Sequence, residues 1–320
     1  MTTRIIGTGS YLPETIVTND DLSKIMDTSD EWISSRTGIR ERHLAKEETT
    51  SSMSIEAAKR AMADAGVTPE EIDLIIVGTL TNDYMTPSCA CEVQAGIGAE
   101  NAFAMDINAA CTGFMAALHT AHAYITSGLA KTALVLGAET LSKIMDWNDR
   151  STCVLFGDGA GAAVVRADEV GLMSYRQGSD GAKGMCLYGQ NRLNNNPLVS
   201  NSTKLEYIHM DGQEVYKFAV SKVPACIQEV LDEAGLTPDD IKYFALHQAN
   251  IRILQSVSKR LKVDEDKFPI SLDHCGNISA ASVPILLDEM NRKGMLNRGD
   301  KIVLAGFGGG LTWAASVLTW

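Results

Sequence analysis

Apolar positions change period several times along the chain, and each change marks an element. Arg4 to Gly9 reads as a first strand, and Thr18 or Asn19 caps a short helix running to Met26. Ser29 caps a second helix, SDEWISSRTG, which Gly38 ends. Ser54 to Ala65 has helical spacing and stops at Gly66. Phe103 to Ile107 predicts a short buried strand, followed by a small-residue corner at Asn108, Ala109 and Ala110. Beyond it Phe114, Met115, Leu118, His122 and Ile125 recur at intervals of three and four, and Gly128 suits a C-terminal cap. Residues 156–165, FGDGAGAAVV, fit a tightly packed strand better than a phosphate cradle. Gln190 to Ser202 is Asn-rich, lacks a period and reads as a surface excursion. Helices are expected over Glu214 to Ala234, over Ile251 to Leu261 with Asn250 as cap, and over Val283 to Met290.

Two stretches nearly repeat each other. AGVTPEEIDLIIVG, residues 65–78, matches AGLTPDDIKYFALH, residues 234–247, at an offset of 169. The same offset carries Asn108 onto Asn277, Cys111 onto Ala280, and the strand at 132–137 onto that at 301–306. This predicts an internal duplication: two α/β halves, 1–170 and 171–320, joined near residues 166 to 180. Matched halves pack with a site at their seam, so Cys111 should meet His247 and Asn277 there.

Composition narrows the field. The 320 residues are 45% hydrophobic and 21% charged, an ordinary globular balance. No signal sequence is expected at the N-terminus, and the apolar runs are of strand length, so no membrane span is expected. Seven cysteines without a CxxC pair fit reduced thiols in a cytoplasm. A net charge of −12 argues against nucleic acid as a partner.

Four corners carry the candidate chemistry. Cys111 stands where a strand gives way to a helix, and unpaired amides with the helix dipole there are expected to favour thiolate. His247 ends a strand in HQAN, Asn277 lies in HCGNISAAS before a helix, and FGGGLTWAAS, 307–316, exposes backbone amides suited to an oxyanion hole. Each alone has a plain structural reading: a core cysteine, a core histidine, a turn-forming asparagine. Together they make a cysteine acyl-transfer site. Trp32 near Arg36 reads as packing or as a purine platform. Arg252, Lys259 and Arg260 share an exposed helix face, which on an acidic protein suggests an acidic partner. His274 and Cys275 lack partners at ligand spacing, so no metal site is expected.

DINAACTGF, HQAN, GNISAAS and FGGGLTWAAS closely resemble the β-ketoacyl-acyl carrier protein synthase III family of the thiolase-like superfamily, and the resemblance runs the length of the chain. It implies a cytoplasmic homodimer with a five-layer αβαβα core and, with no cofactor, an acyltransferase that starts fatty-acid synthesis. A primer acyl group passes from coenzyme A to Cys111. Malonyl-acyl carrier protein is then decarboxylated, and its enolate attacks the thioester to give a 3-oxoacyl-acyl carrier protein. The family's Cys–His–Asn set falls on Cys111, His247 and Asn277. The amides of Cys111 and Gly309 fall on its oxyanion hole. Thr28, Trp32, Arg36 and Arg150 fall on its coenzyme A site, with Gln213 where an Asn is common, and Arg252 on its carrier-protein contact. Thr86, with Met85 before it, replaces a frequent Phe that lines the partner's primer pocket, which leaves the primer open. A cysteine hydrolase would need a route for water that nothing signals. A thiolase would want a second C-terminal cysteine that FGGG lacks, and a non-catalytic acyl binder would not need Cys111.

Overall fold

The computed structural model describes residues 1–201 and 206–320; Ser202, the end of the expected surface excursion, lies outside them. The first half runs β1 (Thr2–Tyr11), α1 (Asp30–Thr37), α2 (Thr50–Ala65), β2 (Leu74–Gly78), α3 (Cys89–Ile97), β3 (Phe103–Ile107), α4 (Gly113–Thr126), β4 (Thr132–Thr140) and β5 (Asp158–Asp168). The second runs β6 (Leu172–Ser179), α5 (Gly212–Ala234), β7 (Tyr243–Leu246), α6 (Ile251–Leu261), α7 (Ser282–Arg292), β8 (Lys301–Gly308) and β9 (Thr312–Thr319). The strands form sheets of order β1-β5-β4-β2-β3 and β6-β9-β8-β7. β2 is parallel to β3 and β4, β7 is parallel to β8, and the remaining pairings in both sheets are antiparallel.

The central strands are apolar on both faces because both faces are covered. On β4, Ala133 and Val135 turn inward to α4 and α7, while Leu134 and Leu136 turn outward to α2 and α3. On β8, Ile302 and Leu304 share that inner layer, while Val303 and Ala305 meet α5 and α6 on the far side. Five layers result: two helices, a sheet, the buried pair α4 and α7, a second sheet and two more helices.

The offset of 169 recurs in the backbone. The turns at Pro69–Glu71 and Pro238–Asp240, the turns at Ala110–Thr112 and Ser279–Ala281, and the starts of β4 and β8 all obey it. β3 has no such counterpart, since Leu272–Cys275 forms a helical turn. The expectation of a buried strand at Phe103 to Ile107 is corrected here. β3 is the edge of its sheet, and Phe103 is 59% exposed. The helix expected to reach Met26 ends at Leu22. The caps at Ser29 and Asn250 form, accepting from the Trp32 and Arg252 amides at 3.1 and 2.9 Å.

One buried polar contact fixes α4 against the second sheet. His119 pairs with Gln177 on β6 at 3.0 Å and with Ser316 on β9 at 2.6 Å. Burial lowers it to about 4, so it is a neutral strut rather than a charge.

Candidate active site

The chain enters α4 through a strained turn. Asn108 Oδ1 accepts the Ala110 amide at 3.2 Å, and Ala110 stands at φ 46°. Cys111 follows on the turn, two residues before α4, and is 9% exposed. Gly308 at the end of β8 lies directly against it: a methyl on Gly308 would sit 2.6 Å from Cys111 Cβ and 3.0 Å from Sγ. The seam between the halves therefore runs through Cys111, with β8 of one pressed onto the helix start of the other. Thr112 and Thr312 tie it further, Oγ1 to Oγ1 at 3.0 Å.

The expectation of a ready thiolate is corrected by burial. Desolvation pushes the Cys111 thiol up to about 11, against the pull of the Ser279 hydroxyl and the amides of Cys111 and Gly309. The Glu139 carboxylate pushes the same way as burial. Burial outweighs that pull, and the resting group is a thiol.

The second half presents the same turn in a different dress. Asn277 Oδ1 accepts the Ser279 amide at 2.9 Å, and Ser279 stands at φ 44°. Because Oδ1 is committed, the free end of the Asn277 amide is its NH2 donor. Its backbone is clamped to the first half, with its amide on the Leu155 carbonyl at 2.8 Å and its carbonyl taking the Gly157 amide at 3.0 Å. His247 follows β7, its amide on the Ala305 carbonyl at 2.8 Å and its ring edge-on to Phe307 at 5.1 Å. Burial lowers its imidazole to about 3, so it is neutral at any working pH. Its Nδ1 is buried and meets no partner. The turn that bears Cys111 packs on the turn Ser279–Ala281 that follows Asn277, while His247 stands at the end of β7 beside Phe307 of β8.

Family models for 3-oxoacyl-[acyl-carrier-protein (ACP)] synthase III and for its C-terminal part match residues 105–181 and 231–320. The β-ketoacyl-[acyl-carrier-protein] synthase III of Clostridium acetobutylicum is 54% identical over 318 residues, covering 99% of this chain and 98% of that protein. The chain belongs to the β-ketoacyl-acyl carrier protein synthase III family. The crystal structure of the 3-oxoacyl-[acyl-carrier-protein] synthase III from Aquifex aeolicus superposes with a TM-score of 0.94 at 46% identity, covering 99% and 100% of the two chains. The priming β-ketosynthase of the R1128 polyketide pathway superposes at 0.93 and 38%, covering 99% and 96%. The five-layer architecture described above is the thiolase-like fold of this synthase family.

The other sequence-derived candidates divide into groups. Trp32 is flanked by Arg36 at 4.8 Å and Arg150 at 5.1 Å from its ring centre. Arg150 also holds the Asp27 carbonyl and carboxylate. Thr28 Oγ1 is buried beside this cluster's chain segment without a partner. Gln213 is exposed at the start of α5, its amide on the Asp211 carboxylate at 3.1 Å. Arg252, Lys259 and Arg260 are exposed on α6, but Arg252 donates to the Ser35 carbonyl at 2.9 Å and so braces α6 against α1. Met85, 79% exposed, and Thr86 lie on the surface, and none of the contacts around Cys111 involves them.

Three groups escaped the sequence reading. Glu139 is wholly buried behind Cys111, and its one signal was a carboxylate closing the apolar run ALVLGA. Ser279 lay unremarked inside GNISAAS. Glu289 reaches His274 from α7, and together with Cys275 their ligand atoms lie within 4.8 Å of one another. Both His274 nitrogens are engaged by carboxylates, Asp273 and Glu289, each at 2.8 Å. Those contacts raise His274 to about 12 and make it a charged tie between the turn and α7.

Proposed function

We propose that this chain is the acyltransferase that primes fatty-acid synthesis, condensing a primer acyl-coenzyme A with malonyl-acyl carrier protein through an acyl-Cys111 thioester. The observation that carries it is the packing at the seam of the two halves, where Gly308 at the end of β8 lies directly against the buried Cys111 and the Ser279–Ala281 turn packs on the turn that bears it. The amides of Cys111 and Gly309 would hold the oxyanion as sulfur adds to the primer carbonyl. Coenzyme A leaves, and malonyl-carrier takes its place. Loss of CO2 puts negative charge on the malonyl thioester oxygen. His247 and Asn277 donate to that oxygen: the Asn277 NH2 is its free end. With Nδ1 in a partnerless pocket we assign the imidazole proton to Nε2. A neutral donor is what this step needs, and burial keeps His247 neutral.

The coenzyme A adenine is read onto Trp32 between Arg36 and Arg150, with Thr28 and Gln213 along the same entrance. Lys259 and Arg260, with Arg252 behind them, form the face for an acidic carrier. We read the chain as two duplicated domains dividing at residues 170 and 171, between β5 and β6. A second copy is read onto the open edge of β3. Asp106 there takes the Cys89 and Ala90 amides, each at 2.8 Å, and so anchors the helix that follows the exposed Tyr84 and Met85. No helix among the described residues is long and apolar enough to cross a membrane, and a cytoplasmic setting fits seven free thiols.

The test separates the half-reactions. Wild-type protein incubated with a panel of acyl-coenzyme A thioesters should gain one acyl mass on Cys111, and the panel identifies the primer. His247→Ala and Asn277→Ala should keep that acylation and lose CO2 release from malonyl-carrier. An acyl group settling on another cysteine, with Cys111 unmodified, would overturn the reading.

A further inference from the structure

The chemistry above leaves the Glu139 carboxyl unused. It closes β4, wholly buried, and its Oε2 receives the Thr79 hydroxyl at 3.3 Å, the Leu80 amide at 3.2 Å and the Thr81 hydroxyl. Its Oε1 is buried and receives no hydrogen bond among the described residues. An orphaned carboxyl oxygen in a protein interior is costly and calls for an explanation. A second orphan in the same corner is Ser279 Oγ. The turn Ser279–Ala281 packs against both β4 and the turn that bears Cys111. Gly137, two residues before Glu139, is bare because a side chain there would strike the Ala280 carbonyl. The Ser279 turn thus lies between the Cys111 turn and the strand that ends in Glu139, and the Ser279 hydroxyl favours the ionised form of both groups. It closes no full hydrogen bond to either. Its position is held by backbone strain, at φ 44° with its amide on Asn277.

We propose that Ser279 and Glu139 form a proton relay that takes the Cys111 thiol proton during acylation and returns it during condensation. This rests on Cys111 being the acyl carrier. As Cys111 Sγ bonds to the primer carbonyl carbon, its proton passes to Ser279 Oγ, and the Ser279 proton passes to Glu139 Oε1. The carbon–sulfur bond to coenzyme A breaks, and the departing thiolate takes a proton from solvent. In the second half-reaction the malonyl-derived enolate attacks the acyl carbon. The bond to Cys111 breaks, and its thiolate recovers the stored proton from Glu139 through Ser279. One solvent proton is consumed per turnover, matching the carboxylate lost as CO2.

Two observations favour this route over His247 as the base. His247 makes no hydrogen bond with Cys111 and is too weakly basic at about 3. Burial holds Glu139 at about 7, where a carboxyl can both take and give a proton near neutrality. The groups acting on Glu139 are Thr81, Leu80, Ser279 and Thr79, together with Cys111 itself. Of the charged groups around it, Lys143 and Asp83 are paired at 3.3 Å, with Lys143 also on the Thr81 carbonyl at 2.6 Å, and Asp158, raised by burial, lies across the sheet from Thr140. Because the thiol stands at about 11, the transfer accompanies carbon–sulfur bond formation rather than preceding it.

The experiment measures single-turnover acylation of Cys111 by acetyl-coenzyme A, by rapid quench and intact mass, from pH 6 to 9. It compares wild type, Glu139→Gln and Ser279→Ala, with CO2 release from malonyl-carrier as the control. The expected result is acylation slowed at least about tenfold at pH 7 in both variants. The deficit should close toward pH 9 as hydroxide replaces the relay, with CO2 release within about twofold of wild type. Acylation at the wild-type rate in Glu139→Gln would overturn the relay. So would a deficit constant across pH and shared by CO2 release, which marks a structural role. A wild-type protein that takes no acyl group on Cys111 from any thioester of the acyl-coenzyme A panel would overturn the reaction itself and the relay with it, a result distinct from either.

Discussion

Replacing Gly308 with alanine puts a methyl 2.6 Å from Cys111 Cβ, 3.0 Å from its Sγ and 3.2 Å from its amide nitrogen. Carbon atoms in contact rest at about 3.5–4.0 Å, so roughly 1 Å must be relieved. Neither wall yields easily. Gly308 is paired with Thr312 inside a sheet, and the Cys111 turn is held by Asn108 and by Gly306, where a methyl would already crowd Thr112 Cα at 3.3 Å. Misplacing a reacting group by about 1 Å costs on the order of 100-fold in rate, roughly 2.7 kcal/mol of barrier. Overpacking should also lower stability by about 1–3 kcal/mol. The neighbouring residue is the control. A methyl on Gly309 meets Ala110 Cβ and the Leu187 carbonyl at 3.4 Å and Leu187 Cγ at 3.6 Å, and the substitution keeps the backbone amide, so Gly309→Ala should lose far less acylation than Gly308→Ala. The assay is rapid-quench intact mass with acetyl-coenzyme A, alongside thermal unfolding and CO2 release from malonyl-carrier. The Gly308 methyl points at Cys111 and not at His247 or Asn277, so decarboxylation should survive. Equal acylation by the two variants, or decarboxylation lost as deeply as acylation in Gly308→Ala, would refute the steric reading.

Trp32→Ala should raise the KM for acyl-coenzyme A by about tenfold and leave that for malonyl-carrier unchanged, since desolvated cation–π stacking contributes about 0.5–2 kcal/mol; equal rises in both would remove Trp32 from the adenine site. Lys259→Glu should slow association with malonyl-carrier and flatten its salt dependence, read by stopped flow; it is a cleaner probe than Arg252→Glu, because Arg252 also braces Ser35. Buried His119 and His247 have folded values of about 4 and about 3, below the ordinary 6.5. Only the unfolded chain protonates as pH falls through 6.5, so each costs about 2 kcal/mol of stability by pH 5. Melts of His119→Gln should therefore show a shallower acid-side loss than wild type, and parallel pH curves would count against a neutral buried His119.

Legibility of the sequence followed the physics of each signal. Caps and periods are local, so Ser29, Gly38 and Asn250 were readable where they stood. The repeat at 169 was readable because matched turns need matched residues, Thr-Pro with two acids in each half. Burial is not local. Nothing near Cys111 in the sequence reports that Gly308 and the Ser279 turn close over it, so the helix start suggested a thiolate where desolvation leaves a thiol. β3 read as buried because its composition matches an interior strand, while its place in the sheet leaves one side open. His274, Cys275 and Glu289 were unreadable together because a helix brings the last of them back across 14 residues.

The two halves keep one backbone corner and put different chemistry on it. Asn108 and Asn277 make the same turn, each accepting the amide two residues on, and each turn is strained at the same residue, Ala110 at 46° and Ser279 at 44°. The next position is Cys111 in one half and Ala280 in the other. The strand ends differ likewise, Gly78 against His247, and a side chain at Gly78 would run into the backbone of Gly113. A histidine is therefore excluded from the first corner by the packing of the helix that presents the cysteine. Carbonyl attack needs the nucleophile on one side of the substrate and hydrogen-bond donors where charge develops on another. A single corner cannot hold both without crowding. Two copies facing each other across a seam can, and in the function proposed above one keeps the thiol and the other the donors. Ser279 then has a position no unduplicated half could offer: on the donor corner by chain, against the thiol by packing, with a buried carboxyl behind it.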